Sequence, residues 1–223
     1  MRTGTKRNLA LLRTAGWRCL VNAVGAHRTE GFPYAIDNGA WSAYQAFINQ
    51  RQETALLDRS AFIKLVVRLG GSADFVVVPD IVAAGKESLA LSKKWLPWVL
   101  DHTQLALIAV QDGMVPSDVA ELLGPRVGLF VGGSCDPPDF WKLSTMAQWC
   151  DLARKHGAWC HIGRVNSALR IRKCALAGAT SFDGSSASRF ALTIPPLDDA
   201  RRQQFFHFEH QGEAHDRDPD EDV

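Results

Sequence analysis

No cysteine framework organises this chain. Its five cysteines, Cys19, Cys135, Cys150, Cys160 and Cys174, are odd in number, scattered, and include no CxxC pair. Neither a disulfide-stapled fold nor a zinc ribbon has that pattern, and reduced thiols fit it. Long apolar runs are missing as well: none approaches the roughly 20 residues needed to span a bilayer. The opening stretch MRTGTKRNLALLRTAGWRCLVNAVG holds no clean apolar core before a small-residue cleavage site. The expectation is a soluble, cytoplasmic protein without a membrane partner.

Net charge is also nearly absent, at +1, but it is unevenly spread. Residues 209–223, EHQGEAHDRDPDEDV, carry seven acids against one arginine, a balance of −6. The other 208 residues carry 24 Lys and Arg against 17 Asp and Glu, a balance of +7. A basic body suits a polyanionic partner, and an acidic tail of this composition reads as a solvated end. With 223 residues and 46% hydrophobic content, the chain can bury one substantial core. We expect one domain over residues 1–200 and an acidic, disordered tail over 201–223.

What the chain does have is a repeated pattern. Seven short apolar runs, RCLVNAVG, YAIDNGA, FVVVPDIV, LALIAVQDG, VGLFVGGS, AWCHIGRV and ATSFDGSS, read as strands. They are almost continuously apolar, which suits parallel strands covered on both faces. Between several of them lie segments with helical spacing: DRSAFIKLVVRLG, KESLALSKKWLPWVLDH, SDVAELLG, DFWKLSTMAQWCDLARKHG and NSALRIRKCALAG. Glycines 70, 157 and 178 stand at helix ends, and Ser117 or Asn166 could cap helix starts. This α/β alternation fits a doubly wound sheet or a (β/α)8 TIM-type barrel. Seven strand candidates leave such a barrel incomplete, with nothing clear to supply its first strand.

The polar residues decide between these. Asp37, Asp80, Gln111 with Asp112, Gly132 with Gly133, Arg164 and Asp183 all fall at or just past the C-terminal end of a strand candidate. Loops at that end of an α/β barrel converge on one site. A metal is not expected, because His161 beside Cys160 has no second ligand pair at suitable spacing, so His161 reads as a packed core histidine. The VGGS stretch lacks the lysine of a phosphate-binding loop. The tryptophans of KKWLPWVL and FWKL read as helix packing.

Taken in order, these pieces resemble the tRNA-guanine transglycosylase superfamily, and especially its short DNA-acting DpdA-type members, which insert 7-deazaguanines into DNA. IDNGAW is similar to the family's D-S-G-G-F/Y segment, VVVPDIV to its base-recognising strand, and IAVQDG to its I-V-Q-G segment. LFVGGS, CHIGRVNS and ATSFDGSSASR resemble its next strand end, its L-M-G-V-G turn and its F-D-C-V-x-P-T-R segment. The resemblance implies a nucleophile at Asp183 and a base-proton carrier at Asp37. It implies substrate contacts at Asp80, Gln111, Asn38, Gly132 and Gly133, and polymer contacts at Arg164 and Arg189. Two departures stand out: the zinc subdomain associated with the tRNA enzymes is missing, and Ala-Ser replaces Pro-Thr before Arg189.

The residue types suit the implied chemistry. Exchanging a base on an intact polynucleotide breaks and remakes a C1′–N9 bond, and a carboxylate can hold the sugar meanwhile as an ester. A second carboxyl group can move the base proton. No redox agent or nucleotide triphosphate is called for, so no cofactor is expected. Asp80 can accept from the N1–H and amine of a guanine-like face, and the Gln111 amide can donate and accept. Backbone N–H groups at Gly132 and Gly133 could approach O6, since glycine has no Cβ. The expected partners are DNA, with tRNA as runner-up, and a free 7-deazaguanine base. A second copy of the chain or a partner protein is a further candidate partner, and a larger partner could complete the missing strand. Two rival readings remain open: a nucleosidase or DNA glycosylase that admits water in place of a base, and a nucleic-acid-binding barrel without activity.

Overall fold

The seven apolar runs become seven strands. A computed structural model of the chain describes residues 6–24, 28–51, 57–133 and 141–203. Strands β1 (Cys19–Asn22), β2 (Tyr34–Asp37), β3 (Val76–Val77), β4 (Ala106–Val110), β5 (Val127–Val131), β6 (Cys160–Ile162) and β7 (Ser181–Phe182) form one parallel sheet in chain order. A doubly wound sheet reverses its strand order part-way; this one never does. Because crossovers between parallel strands are right-handed, an unreversed order puts the helices on one face and leaves the other as an interior. The sheet curls accordingly into an incomplete (β/α) barrel. Phe75, just ahead of β3, lies 5.1 Å from the His161 ring on β6, three strands away.

Period-two alternation along each strand divides the core. Outward side chains such as Val21, Ile36, Val76 and Val78 pack with Phe62, Leu65 and Val66 of α3 (Arg59–Leu69) and with Val99 of α4 (Lys86–Leu100). Ile108, Val110, Leu129, Val131 and Ile162 meet Trp149 of α5 (Trp141–Lys155) and Ile171 of α6 (Ala168–Ala177). A smaller inner cluster joins Ala35, Phe75, Val77 and Leu107 to Leu20, Phe130 and Trp159. Gly128 lets this interior close, since a Cβ there would lie 2.7 Å from Leu107 Cδ2.

Where an eighth strand would stand, side chains and helices bridge β7 to β1. Trp17 meets Phe182 edge-on at 6.0 Å and donates its indole N–H to Asp198 Oδ1 at 3.1 Å. Asp198 belongs to α8 (Ile194–Arg202), whose Arg201 guanidinium also donates to Ala15 O at 2.6 Å. Ahead of β1, α1 (Lys6–Thr14) reaches the one-turn helix α7 (Ser186–Arg189) through Asn8 Nδ2, 3.4 Å from Ser188 O.

Several local expectations change. SDVAELLG forms two 3-10 turns, Pro116–Asp118 and Ala120–Leu122, in place of an α-helix, and Ser117 caps neither. Ser167, not Asn166, caps α6 by accepting from Arg170 N–H; Asn166 Oδ1 instead accepts from Ser185 and Ser186. Gly157 and Gly178 adopt positive φ, whereas Gly70 stays right-handed and is needed because a Cβ would lie 2.7 Å from His102 O. Trp95 and Trp98 pack against Phe62, as expected of KKWLPWVL. Among the described residues no helix is long and apolar enough to cross a membrane. Most of the acidic tail lies outside the described residues, as does Cys135.

Candidate active site

The C-terminal strand ends surround a cavity of about 480 Å³, within the range of small-molecule sites. Asp37, Asn38, Asp80, Gln111, Gly132, Gly133, Arg164 and Asp183 all line it. Only Arg189, among the residues expected to act, does not: it is exposed at the end of α7.

Asp37 ends β2. Its Oδ2 accepts from Asn22 Nδ2 at 2.8 Å, and the Gly39 N–H also donates to it. Gly39 takes a φ of +88°, and a Cβ there would lie 3.1 Å from Asn22 Oδ1. Burial, then the nearby charges of Asp183 and Asp80, raise the Asp37 pKa to about 7, against the lowering effect of Gly39. This carboxyl can therefore hold and release a proton near neutrality.

Asp80 follows β3, and a neutral amide covers each oxygen. Asn38 Nδ2 donates to Oδ1 and Gln111 Nε2 to Oδ2, both at 2.7 Å. Burial raises its pKa to about 6, while the two amides oppose the shift. The Asp80 backbone N–H donates to the carboxylate as well, so of about four lone-pair sites about one remains for a ligand. Asn38 behaves differently from an expected substrate contact: it is 2% exposed, its Nδ2 also reaches Val78 O, and its Oδ1 accepts from Ala40 N–H at the start of α2 (Ala40–Ile48). It holds Asp80 and the helix. Gln111 Nε2 is likewise engaged by Ile81 O and Ser88 Oγ, but its buried Oε1 has no hydrogen-bond partner among the described residues. An orphaned buried acceptor of this kind calls for a donor.

On the opposite side, Asp183 follows β7 with 21% of its side chain exposed. Its Oδ1 lies 3.2 Å from His161 Nε2 and accepts the Arg164 backbone N–H at 3.1 Å. Oδ2 has no partner among the described residues. Gly163 is required beneath it, since a Cβ would come within 2.8 Å of the Phe130 ring. Lys142, on α5, steadies this turn by donating Nζ to Gly163 O at 2.7 Å.

Arg164 differs from the expected phosphate contact. It adopts a φ of +60°, uncommon for a side-chain-bearing residue, and Nη2 donates to Gly132 O and Gly133 O at 3.2 and 2.9 Å. The guanidinium also sits 4.1 Å over the Trp41 ring, which stacks on Tyr44. The carbonyls of Gly132 and Gly133 are thus used by arginine, and the Gly132 N–H donates to Val110 O in the sheet. The expected approach of the Gly132 N–H to a base oxygen is closed.

Trp41, Tyr44 and His161 are functional candidates that the strand-end pattern missed. Trp41 and Tyr44 line the cavity from α2, one helical turn past Asp37. Among the described residues, no group of three or more His, Cys, Asp or Glu side chains could hold a metal ion.

No protein-family model and no curated protein matches the chain. Among solved structures it is similar to triosephosphate isomerase from Bartonella henselae, with a TM-score of 0.47 and 13% identity over 91% of this chain and 96% of that one.

Proposed function

We propose that the chain is a transglycosylase of the tRNA-guanine transglycosylase type, exchanging guanine in a polynucleotide for a 7-deazaguanine base. One observation carries this reading: three carboxyl groups from β2, β3 and β7 share one cavity in three different surroundings. Asp183 Oδ2 forms a bond to C1′ as the C1′–N9 bond breaks, while protonated Asp37 delivers its proton to the departing base. The sugar is then held as an ester. An incoming deazaguanine gives its N9 proton to the Asp37 carboxylate, N9 bonds to C1′, and Asp183 leaves as a carboxylate. Protons and electron pairs balance without an outside reagent.

Recognition is the task of the β3–β4 side. The remaining acceptor site of Asp80 suits the N1–H of a guanine face, and the unpartnered Gln111 Oε1 suits a further base N–H such as that of the amine. Trp41 offers the base an aromatic wall at the mouth. The basic body suits either polyanion, and we favour DNA over tRNA because the sequence carries no cysteine-rich region like the zinc subdomain of the tRNA enzymes it resembles. The target base is taken from a single strand or flipped out, at a few kcal/mol.

The test is to incubate the protein with DNA or tRNA and labelled 7-deazaguanine bases, digest, and follow the label into nucleosides. Incorporation into DNA supports the reading in full. Incorporation into tRNA alone moves the substrate; release of guanine without incorporation makes the enzyme a glycosylase. Neither, with no adduct, rejects catalysis of this kind.

A further inference from the structure

His161 has no part in the chemistry just described, yet it is the buried side chain most directly attached to the nucleophile. We propose that His161 is the positioning residue of Asp183: it donates Nε2–H to Oδ1, its tautomer fixed by Ser181 and Trp159, so that Oδ2 is the oxygen that reacts. The role in turnover rests on the transglycosylase reading; the hydrogen-bond assignment does not.

The polarity of the chain follows from its two ends: a carboxylate oxygen accepts, so Asp183 Oδ1 takes its hydrogen from Nε2, and an indole donor at the other end leaves the serine hydroxyl hydrogen unspent. An indole N–H can only donate, and Trp159 Nε1 lies 2.8 Å from Ser181 Oγ. The serine hydroxyl hydrogen is then free for His161 Nδ1, 2.7 Å away. In the neutral ring that leaves the proton on Nε2, facing Asp183 Oδ1 at 3.2 Å. The strand register supplies the alignment, because His161 of β6 pairs with Ser181 of β7. Packing fixes the ring plane: Phe130 stacks on it at 5.0 Å and Phe75 tilts against it at 5.1 Å, leaving the residue 3% exposed.

Oδ1 therefore carries two donors, His161 Nε2–H and the Arg164 N–H. Arg164 reaches it from the strained positive-φ turn, the sort of backbone outlier found where a site over-determines geometry. When Oδ2 bonds to C1′, Oδ1 becomes the ester carbonyl and keeps both donors. When the incoming base displaces the ester, the electron pair returns to the carboxylate and the same donors stabilise it as a leaving group. No proton leaves His161 in either direction. Its effect is accordingly larger on ester breakdown than on DNA binding.

Two measurements let this inference and the transglycosylase reading fail separately. In resting protein carrying ¹⁵N-histidine, with the His161 signals assigned by their loss in His161→Phe, Nε2 is expected to bear the proton. Ser181→Ala is expected to shift the Nδ1 signal. A His161 ring protonated at Nδ1 alone overturns the inference, whatever the protein catalyses. In single turnovers on DNA, His161→Phe keeps a ring between Phe75 and Phe130 and is expected to slow ester breakdown about 30-fold, with DNA affinity within about twofold. His161→Gln, which retains an N–H near Oδ1, is expected to recover about tenfold of that loss. Equal losses in the two variants at unchanged melting temperature overturn the positioning role. An Nε2–H ring in a protein that forms no adduct with DNA or tRNA and incorporates no base rejects the transglycosylase reading and leaves the assignment standing.

Discussion

The two sides of the cavity hold their carboxyl groups by opposite means. On the β2–β3 side, Asp37 and Asp80 are half-buried among neutral side-chain amides from Asn22, Asn38 and Gln111, and desolvation raises their pKa values to about 7 and about 6. On the β7 side, Asp183 is partly exposed and pinned at one oxygen by an imidazole and a backbone N–H. The donors on this β2–β3 side favour the ionised form, but desolvation outweighs them, so both carboxyl groups gain and lose protons near neutrality. A carboxylate fixed at one oxygen has the other ready to attack. On the proposed function, surroundings alone would divide one residue type into proton carrier, base reader and nucleophile.

The largest effect should come from the β7 side. Asp183→Asn is nearly isosteric but removes the attacking charge, so exchange and covalent adduct should fall by about 10⁴-fold or more while the melting curve stays put. Appreciable exchange by this variant would place the nucleophile elsewhere. Next comes the reader. Asp80→Ala should lower the preference for guanine-like over adenine-like bases by about 100-fold, leaving adduct chemistry possible on whatever base departs. An unchanged preference would mean that recognition lies on another strand.

A third prediction turns the contrast into a stability measurement. A folded-state pKa raised above the usual 3.8 means that folding holds protons at Asp37 and Asp80, an advantage complete below about pH 4 and lost as pH rises through about 6 and 7. Asp37→Asn removes the cost of the buried charge. The variant should therefore match the native chain near pH 4 and exceed it at pH 8 by about 2 kcal/mol, a rise in Tm of about 4–8 °C. A variant equally shifted at both pH values would show that Asp37 is not buried against its charge. The smallest effect belongs to Arg189, exposed beyond the cavity. Arg189→Ala should leave base preference alone and reduce the salt slope of DNA binding by about one; an unaltered slope places the DNA on another path.

The sequence made the strands legible because fully buried parallel strands are continuous apolar runs, and all seven fall where such runs lie. Their polar ends were legible for the same reason: a single Asp or Gln after FVVV or LIAV has nowhere else to be. The helix α2 was not. It starts from a left-handed Gly39 without a side-chain cap and leaves Trp41, Phe47 and Ile48 exposed, so no amphipathic stripe announces it. His161 is the packed core histidine its sequence suggests, but its polar contacts are hidden in the sequence for another reason. Its partners Ser181 and Asp183 stand 20 and 22 residues away in sequence, and only the β6–β7 register aligns them. Period two did carry a signal, since His161, Ser181 and Asp183 share the inward parity of their strands. Arg164 was placed at the correct turn, but its engagement with Gly132, Gly133 and Trp41 depends on the curl of the whole sheet.

The seam between β7 and β1 bears on the spacing of the reactive groups. Asp183 follows the strand on one bank, and Asp37 ends β2, one strand in from the other. Going round the shorter way, no continuous ladder of backbone hydrogen bonds joins them among the described residues; Trp17, Phe182, Asp198 and Arg201 do. A ladder behaves as a stiff ruler, whereas interlocked side chains behave as a spring whose rest length follows residue size. On the proposed function, the distance over which sugar and base separate would then answer to side-chain size at residues 17 and 182, neither of which lines the cavity.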